Sequence, residues 1–375
     1  MKKVFITGMF RSGTTFLARM LNVHSKVICA SDPIRPLLNS LRYDIASKDY
    51  QEKNERFIPL DDYFIENSEL LNEILKSNFN HTVTEEHSKL INTLISSAQP
   101  YSKLWSDSFD KNINFNTYKE LLDYSLSLID KTYRKKDENI IAFKEVWTNE
   151  FVPAFLNSYK DSKSIILLRD PRAIIASNIA SGERYPLFFL TRQWRKLAYL
   201  TKILKDKYPN NILVLRYEDL ISKPEENIHK ISNFLDIEFE NSLLDISNYK
   251  DGSGNQWKKN THYKDDKNTT KIDASNINKW KSKLTQEELK MVELVCSDWM
   301  EKYNYETFFD KKSLIENNNF PIYETNSLAN WIRKFSFDED EIKFNKEILI
   351  EKMRLLTLDN KEIISENEKK LLHII

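Results

Sequence analysis

Glycine is scarce in this chain. Five occur in 375 residues, where average usage of about 7% gives roughly 26. The few present mark places where the backbone needs them. Cysteine is scarcer still, at Cys29 and Cys296. Two cysteines exclude a disulfide scaffold and a cysteine-based zinc site, and they fit a reducing compartment. Histidine offers no metal motif: His81 and His87 stand six apart and do not share a helix face. Net charge is also missing, with 56 basic against 56 acidic residues. That argues against a general binder of nucleic acid or membrane surfaces, while leaving a local basic pocket open. No apolar run approaches the ~20 residues needed to span a bilayer. The run after Lys2-Lys3 stops at Thr7-Gly8, too short for a signal peptide. These absences lead to the expectation of a soluble, cytoplasmic protein with no membrane span, no nucleic-acid partner and no metal.

What is present builds a core. Hydrophobic residues make up 41% and aromatics 12%, a globular composition. Five short apolar runs read as strands: Lys3–Gly8, Lys26–Cys29, Asn139–Lys144, Ser164–Arg169 and Asn211–Tyr217. Each is continuous rather than alternating, as in strands buried on both faces of a parallel sheet. Helical stretches separate them, so the class is α/β. Residues 36–138 carry no strong strand and read as a helical insertion, with helical patterns at Asn67–Lys76 and Thr117–Lys131. Lys250–Asp273 is polar and lysine-rich and reads as a mobile loop. Trp280–Tyr303 returns to a helical pattern. From about residue 310 the chain is Glu/Lys/Asn-rich and helical. The expected organisation is one domain over 1–309 and a C-terminal helical extension over 310–375.

Two of the five glycines fall in one segment, Gly8-Met9-Phe10-Arg11-Ser12-Gly13-Thr14-Thr15. It follows a strand and opens a helix. Glycines let successive N–H groups face one anion, and the helix N-terminus adds its dipole. The bland alternative is a tight strand–helix turn without a ligand. The nucleoside-triphosphate version of such a loop places Lys after the second glycine. Here Thr14 stands there and the cation is Arg11, which disfavours ATP or GTP hydrolysis.

The segment VFITGMFRSGTTFLARML resembles the 5′-phosphosulfate loop of the sulfotransferases that use 3′-phosphoadenosine 5′-phosphosulfate (PAPS). Arg before Ser-Gly-Thr-Thr resembles the carbohydrate and tyrosylprotein branches more than the small-molecule branch. The resemblance implies a P-loop NTPase-like parallel sheet flanked by helices. It also implies PAPS as co-substrate, the doubly phosphorylated adenosine PAP as product, and a hydroxyl acceptor, with a glycan expected and a protein tyrosine or a small molecule as the alternative. On this reading Arg11, Ser12, Gly13, Thr14 and Thr15 hold the 5′-phosphate, and Arg11 also faces the bridging oxygen.

Further segments match in order. Ser164–Arg169 ends a strand, and Asp170-Pro171-Arg172 starts a helix with good N-cap and N1 residues. RDPRAIIAS resembles the family's 3′-phosphate motif, which maps onto Arg169 and Ser177. Arg216-Tyr217-Glu218-Asp219 resembles the segment whose tyrosine contacts the nucleotide, here Tyr217. The segment Asp251–Thr261 resembles the late loop that closes over the nucleotide, and it nominates Lys258, Lys259 and, further on, Lys279. Lys144 matches the family's strand-end lysine on the sulfate side. A base for the acceptor hydroxyl falls on Asp32, which also reads as a plain turn residue before Pro33. His24 and Glu145 are rival bases. Two readings of another class stay open: a P-loop kinase, and a non-catalytic nucleotide-binding protein.

Overall fold

The apolar runs form five strands in the computed structural model, which describes residues 1–50, 68–182, 185–257, 272, 274, 277–321 and 341–375. They are β1 (Lys2–Gly8), β2 (Val27–Ser31), β3 (Ile140–Val146), β4 (Lys163–Leu168) and β5 (Ile212–Arg216). All pairs are parallel, in the order β2-β3-β1-β4-β5. The chain therefore leaves β1 first to one side and then to the other. The carboxyl end of β1 is the switch point, where open α/β sheets bind ligands.

The chain divides into two compact units. One comprises Met1–Pro59, Asn72–Leu168 and Ile203–Ala274; the other comprises Leu60–Leu71, Arg169–Lys202 and Ser275–Ile375, in their described residues. This division does not coincide with a boundary at residue 310.

The first unit holds the sheet. Helix α1 (Thr14–Leu21) covers one face, burying Leu17, Ala18, Met20 and Leu21 against Val4, Ile6, Cys29 and Ala142. Phe16 is only half-buried and packs beside Tyr249 and Trp257. The insertion is helical, as its pattern implies: α2 (Arg35–Tyr50), then Ser68–Lys76, His87–Ala98, Lys103–Asp107 and Tyr118–Tyr133. Thr117 and Glu120 form a reciprocal capping box that starts the last of these. The expected mobile loop is ordered at its beginning. Lys250 and Gln256 pair as an antiparallel bridge, and the Asp251 carboxylate accepts from the N–H groups of Ser253 and Asn255. This self-capped turn replaces the freedom that the polar composition suggested. Most of the remainder of that segment lies outside the described residues.

The second unit is helical. Leu187–Lys207 runs into it, and Gln286–Lys302, Glu341–Thr357 and Glu366–Leu371 complete it. Its interior carries charge. Arg192 and Arg195 both pair with Glu351, Arg354 pairs with Asp298, and Arg195 also donates to His373. Burial raises the pKa of Glu351, but Arg195 and Arg192 overcome it and hold the carboxyl down at about 2. Glu351, Arg354 and His373 are thus built into the interior of this unit.

Candidate functional site

Apart from His24, the described candidate groups of the first unit lie at or just past the carboxyl end of a strand. The loop Gly8–Thr15 follows β1, Asp32 follows β2, Lys144 and Glu145 end β3, and Tyr217 follows β5. A parallel sheet brings such ends to one edge.

The loop is tightly determined. Ser12 donates from both its N–H (3.1 Å) and its hydroxyl (2.6 Å) to the Met9 carbonyl. Those donors close the turn, so Ser12 shapes the cradle rather than lining it with free N–H and O–H groups. Gly13 has φ 93°, a conformation that favours glycine. A Cβ there meets the Tyr217 ring at 2.3 Å, so Tyr217 acts as the wall of the turn. No side chain caps α1. The first N–H groups of a helix lack intrahelical partners, and here they open directly after a glycine turn. The donor set fits a phosphate-like anion. Thr14 is buried and Thr15 half-exposed at this opening.

Arg11 also has positive φ, 62°. Its guanidinium lies 4.7 Å over the Phe10 ring, and Phe10 stacks on Trp147 at 5.4 Å. The Trp147 N–H donates to the Gly8 carbonyl at 3.0 Å. Two aromatic rings therefore carry the cation of the loop and tie the end of β3 to the end of β1. The motif nominates Arg11 but neither ring. The one available signal was a tryptophan immediately after a strand.

Lys144 and Asp32 meet each other. They form a buried ion pair, with exposures of 2% and 6%. Asp32 has φ 50° and donates its N–H to the Lys144 carbonyl at 2.7 Å. Glu145 is fully buried and accepts from the Ile34 N–H at 2.6 Å, just before α2. Burial, and then the charge of Asp32, push its carboxyl up to about 8. His24 has both ring nitrogens engaged: one meets the Glu238 carbonyl at 2.8 Å, and the other accepts from the Lys26 N–H at 3.0 Å. His24 lies beyond the C-terminal end of α1, whereas the loop lies at its N-terminal end. It has no nitrogen left for an acceptor proton.

Arg19 is a further charged group that the motifs do not indicate. It sits on the buried side of α1 and donates to the Tyr101 carbonyl at 2.6 Å. Burial lowers its pKa, and Cys29, Tyr133, Asp251 and Asp32 oppose that shift. A charged residue inside the apolar run FLARML was the visible clue.

In the second unit, Arg169 precedes Asp170, which caps the helix Pro171–Ala180 by accepting from the Arg172 N–H. The Arg169 carbonyl accepts from the Trp194 indole N–H at 2.7 Å. Ser177 lies on that helix and is 9% exposed. Arg172 pairs with Asp170 and Glu293 and stacks on Trp280 at 4.1 Å. That stack docks the turn Lys279–Ser282, which carries Lys279, against the helix. Lys258 and Lys259 lie outside the described residues. Among the described residues, no cluster of three metal-ligating side chains occurs, and no helix is long and apolar enough to cross a membrane.

The sequence matches the Sulfotransferase family profile over residues 3–241 and a Sulfotransferase domain profile over 190–304. A Caenorhabditis briggsae protein that bears the name of a protein-tyrosine sulfotransferase is 31% identical over 111 residues, 27% of this chain and 38% of that protein. The chain thus matches about two fifths of the length of that relative. Carbohydrate sulfotransferase 1 of Danio rerio is 23% identical over 341 residues, covering 80% of this chain and 77% of that one. The solved sulfotransferase domain from the curacin biosynthetic pathway covers 82% of this chain and 99% of its own, at 17% identity and a TM-score of 0.46. These relatives overturn the expectation of a cytoplasmic location, because the carbohydrate and protein-tyrosine enzymes are not cytoplasmic ones. Few cysteines and short apolar runs were insufficient evidence of compartment.

Proposed function

We propose that this chain, which belongs to the sulfotransferase family, transfers the sulfuryl group of PAPS to a hydroxyl, with a glycan as acceptor. The observation that carries the reading is the uncapped helix α1 behind a glycine turn, with Arg11 in place of the nucleotide-triphosphate lysine and laid on the Phe10–Trp147 pair. PAPS supplies an activated sulfuryl group on a 5′-phosphate leaving group.

The remaining work is positioning and charge stabilisation, as for phosphoryl groups. The N–H groups at the start of α1, with Thr14 and Thr15, hold the 5′-phosphate. Arg11 faces the bridging oxygen, where negative charge grows. Arg169, Ser177 and Lys279 take the 3′-phosphate, and Tyr217 shapes the nucleotide side of the turn. Lys144 offers its charge on the sulfate side while holding Asp32. Asp32 is the acceptor's base. It is paired with a cation, whereas Glu145 holds the Ile34 N–H and burial favours its neutral form. The second oxygen of Asp32, Oδ1, has no hydrogen-bond partner among the described residues. The glycan acceptor is supported by the match along most of the chain to a carbohydrate sulfotransferase.

Transfer of labelled sulfate from PAPS onto glycans, tyrosine peptides and phenols tests the reaction and its acceptor. Binding is tested separately by thermal denaturation. PAP is expected to stabilise the protein without Mg²⁺, by about 2.7 kcal/mol at ~100 times its dissociation constant. Adenosine 5′-phosphate should stabilise less, and Arg169→Ala should erase the preference. A larger, Mg²⁺-dependent shift with ATP would instead favour a kinase and overturn the proposal.

A further inference from the structure

Ser102 belongs to the helical insertion, yet its hydroxyl does not cap the helix it precedes. It stands at the N-cap of the helix Lys103–Asp107, where a serine ordinarily accepts from that helix, and it makes no such bond. Its hydroxyl turns to the edge strand β2 instead. There it accepts from the Ser31 N–H at 3.0 Å and donates to the Ser31 carbonyl at 2.7 Å. One side chain thus completes both backbone groups that an edge strand leaves open.

Ser31 is the last residue of β2, and Asp32 is the next. Asp32 turns away with φ 50°, a conformation that needs its surroundings to hold it. On the inner side it is held by Lys144, through the carbonyl and the ammonium of that residue. On the outer side Ser102 fixes the residue before it. Ser102 is itself anchored: it is fully buried, and its N–H donates to the Ala98 carbonyl at 2.7 Å. The same strap, Tyr101–Leu104, accepts from Arg19 and donates from Leu104 to the Gly252 carbonyl at 2.9 Å.

We propose that Ser102 is a positioning residue for Asp32, closing the edge of β2 so that the carboxylate is presented at a fixed place beside Lys144. The inference rests on the reading of Asp32 as the acceptor's base. Through Ser102 the insertion sets the geometry of a group that the sheet alone leaves on a strained turn.

The test uses the full chain with Ser102→Ala, Ser102→Thr and Asp32→Asn. Amide exchange of Asp32, followed by NMR, reads positioning without any activity. It should quicken in Ser102→Ala and recover in Ser102→Thr, which keeps the hydroxyl. Turnover should fall on the order of 10–10²-fold in Ser102→Ala, as expected for a displaced reacting group, with the melting shift given by PAP unchanged. In the Asp32→Asn background Ser102→Ala should cost little more. Unchanged Asp32 exchange in Ser102→Ala overturns the proposal, and so does an equal loss of turnover in both backgrounds. Absence of any sulfuryl transfer by the wild type would overturn the function proposed above, while the exchange result still decides whether Ser102 positions Asp32.

Discussion

Gly13→Ala should be costly in a way that a second substitution can dissect. Two terms act at this position. The first is backbone: alanine at φ 93° is strained, by roughly 1–2 kcal/mol. The second is steric. The new methyl would lie 2.3 and 2.6 Å from two ring carbons of Tyr217, well inside contact distance, and such overpacking costs about 1–3 kcal/mol. Together they amount to about 2–5 kcal/mol, or a fall in melting temperature on the order of 3–6 °C for a chain of 375 residues. Thermal denaturation of the wild type, Gly13→Ala, Tyr217→Ala and the double variant forms the cycle. With the ring removed, Gly13→Ala should cost only the backbone term, so the double variant is more stable than additivity allows. PAP should no longer stabilise Gly13→Ala, because the N–H groups behind the turn are displaced. An equal cost of Gly13→Ala with and without the ring would refute the argument that Tyr217 walls the turn.

Other outcomes follow from the same geometry. Arg11→Ala should lower turnover on the order of 10²–10³-fold with an unchanged melting temperature; wild-type rates with an accepted acceptor would remove Arg11 from the mechanism. Glu145 keeps its proton in the fold up to about 8, above the ordinary carboxyl value, so it favours the folded state below about 4.5 and that contribution is lost as pH rises towards 8. Glu145→Gln should therefore flatten the decline of stability across that window in melting curves taken by pH. Glu351, held at about 2, acts in the opposite sense, contributing stability above the ordinary carboxyl range that is lost as pH falls. Glu351→Gln leaves Arg192 and Arg195 without their buried partner and should cost about 3–5 kcal/mol, measurable by urea denaturation. A loss under 1 kcal/mol would show that the helix Glu341–Thr357 does not hold this unit together through Glu351.

Much of the sheet was legible because its signal is local. A strand buried on both faces is a short continuous apolar run, and all five runs lie within a few residues of the observed strands. The Gly8–Thr15 loop was legible for the same reason. A glycine turn between a strand and a helix is written in eight consecutive residues, and so is the Asp-Pro start of the helix that follows Arg169. What the sequence could not show were contacts across long stretches of chain. Lys144 and Asp32 read as separate groups with separate roles, and their pairing spans 112 positions. Phe10 and Trp147 are ordinary aromatics until parallel pairing of β1 with β3 sets Gly8 opposite Val146. Ser102 looks like a helix cap until the insertion folds back on β2. Residues 310–375 read as a C-terminal helical extension, and the carboxylate that two arginines share within them has no local pattern. Local periodicity determines which elements form; only the assembled tertiary structure and its burial decide which charges face each other, and therefore which of them ionise.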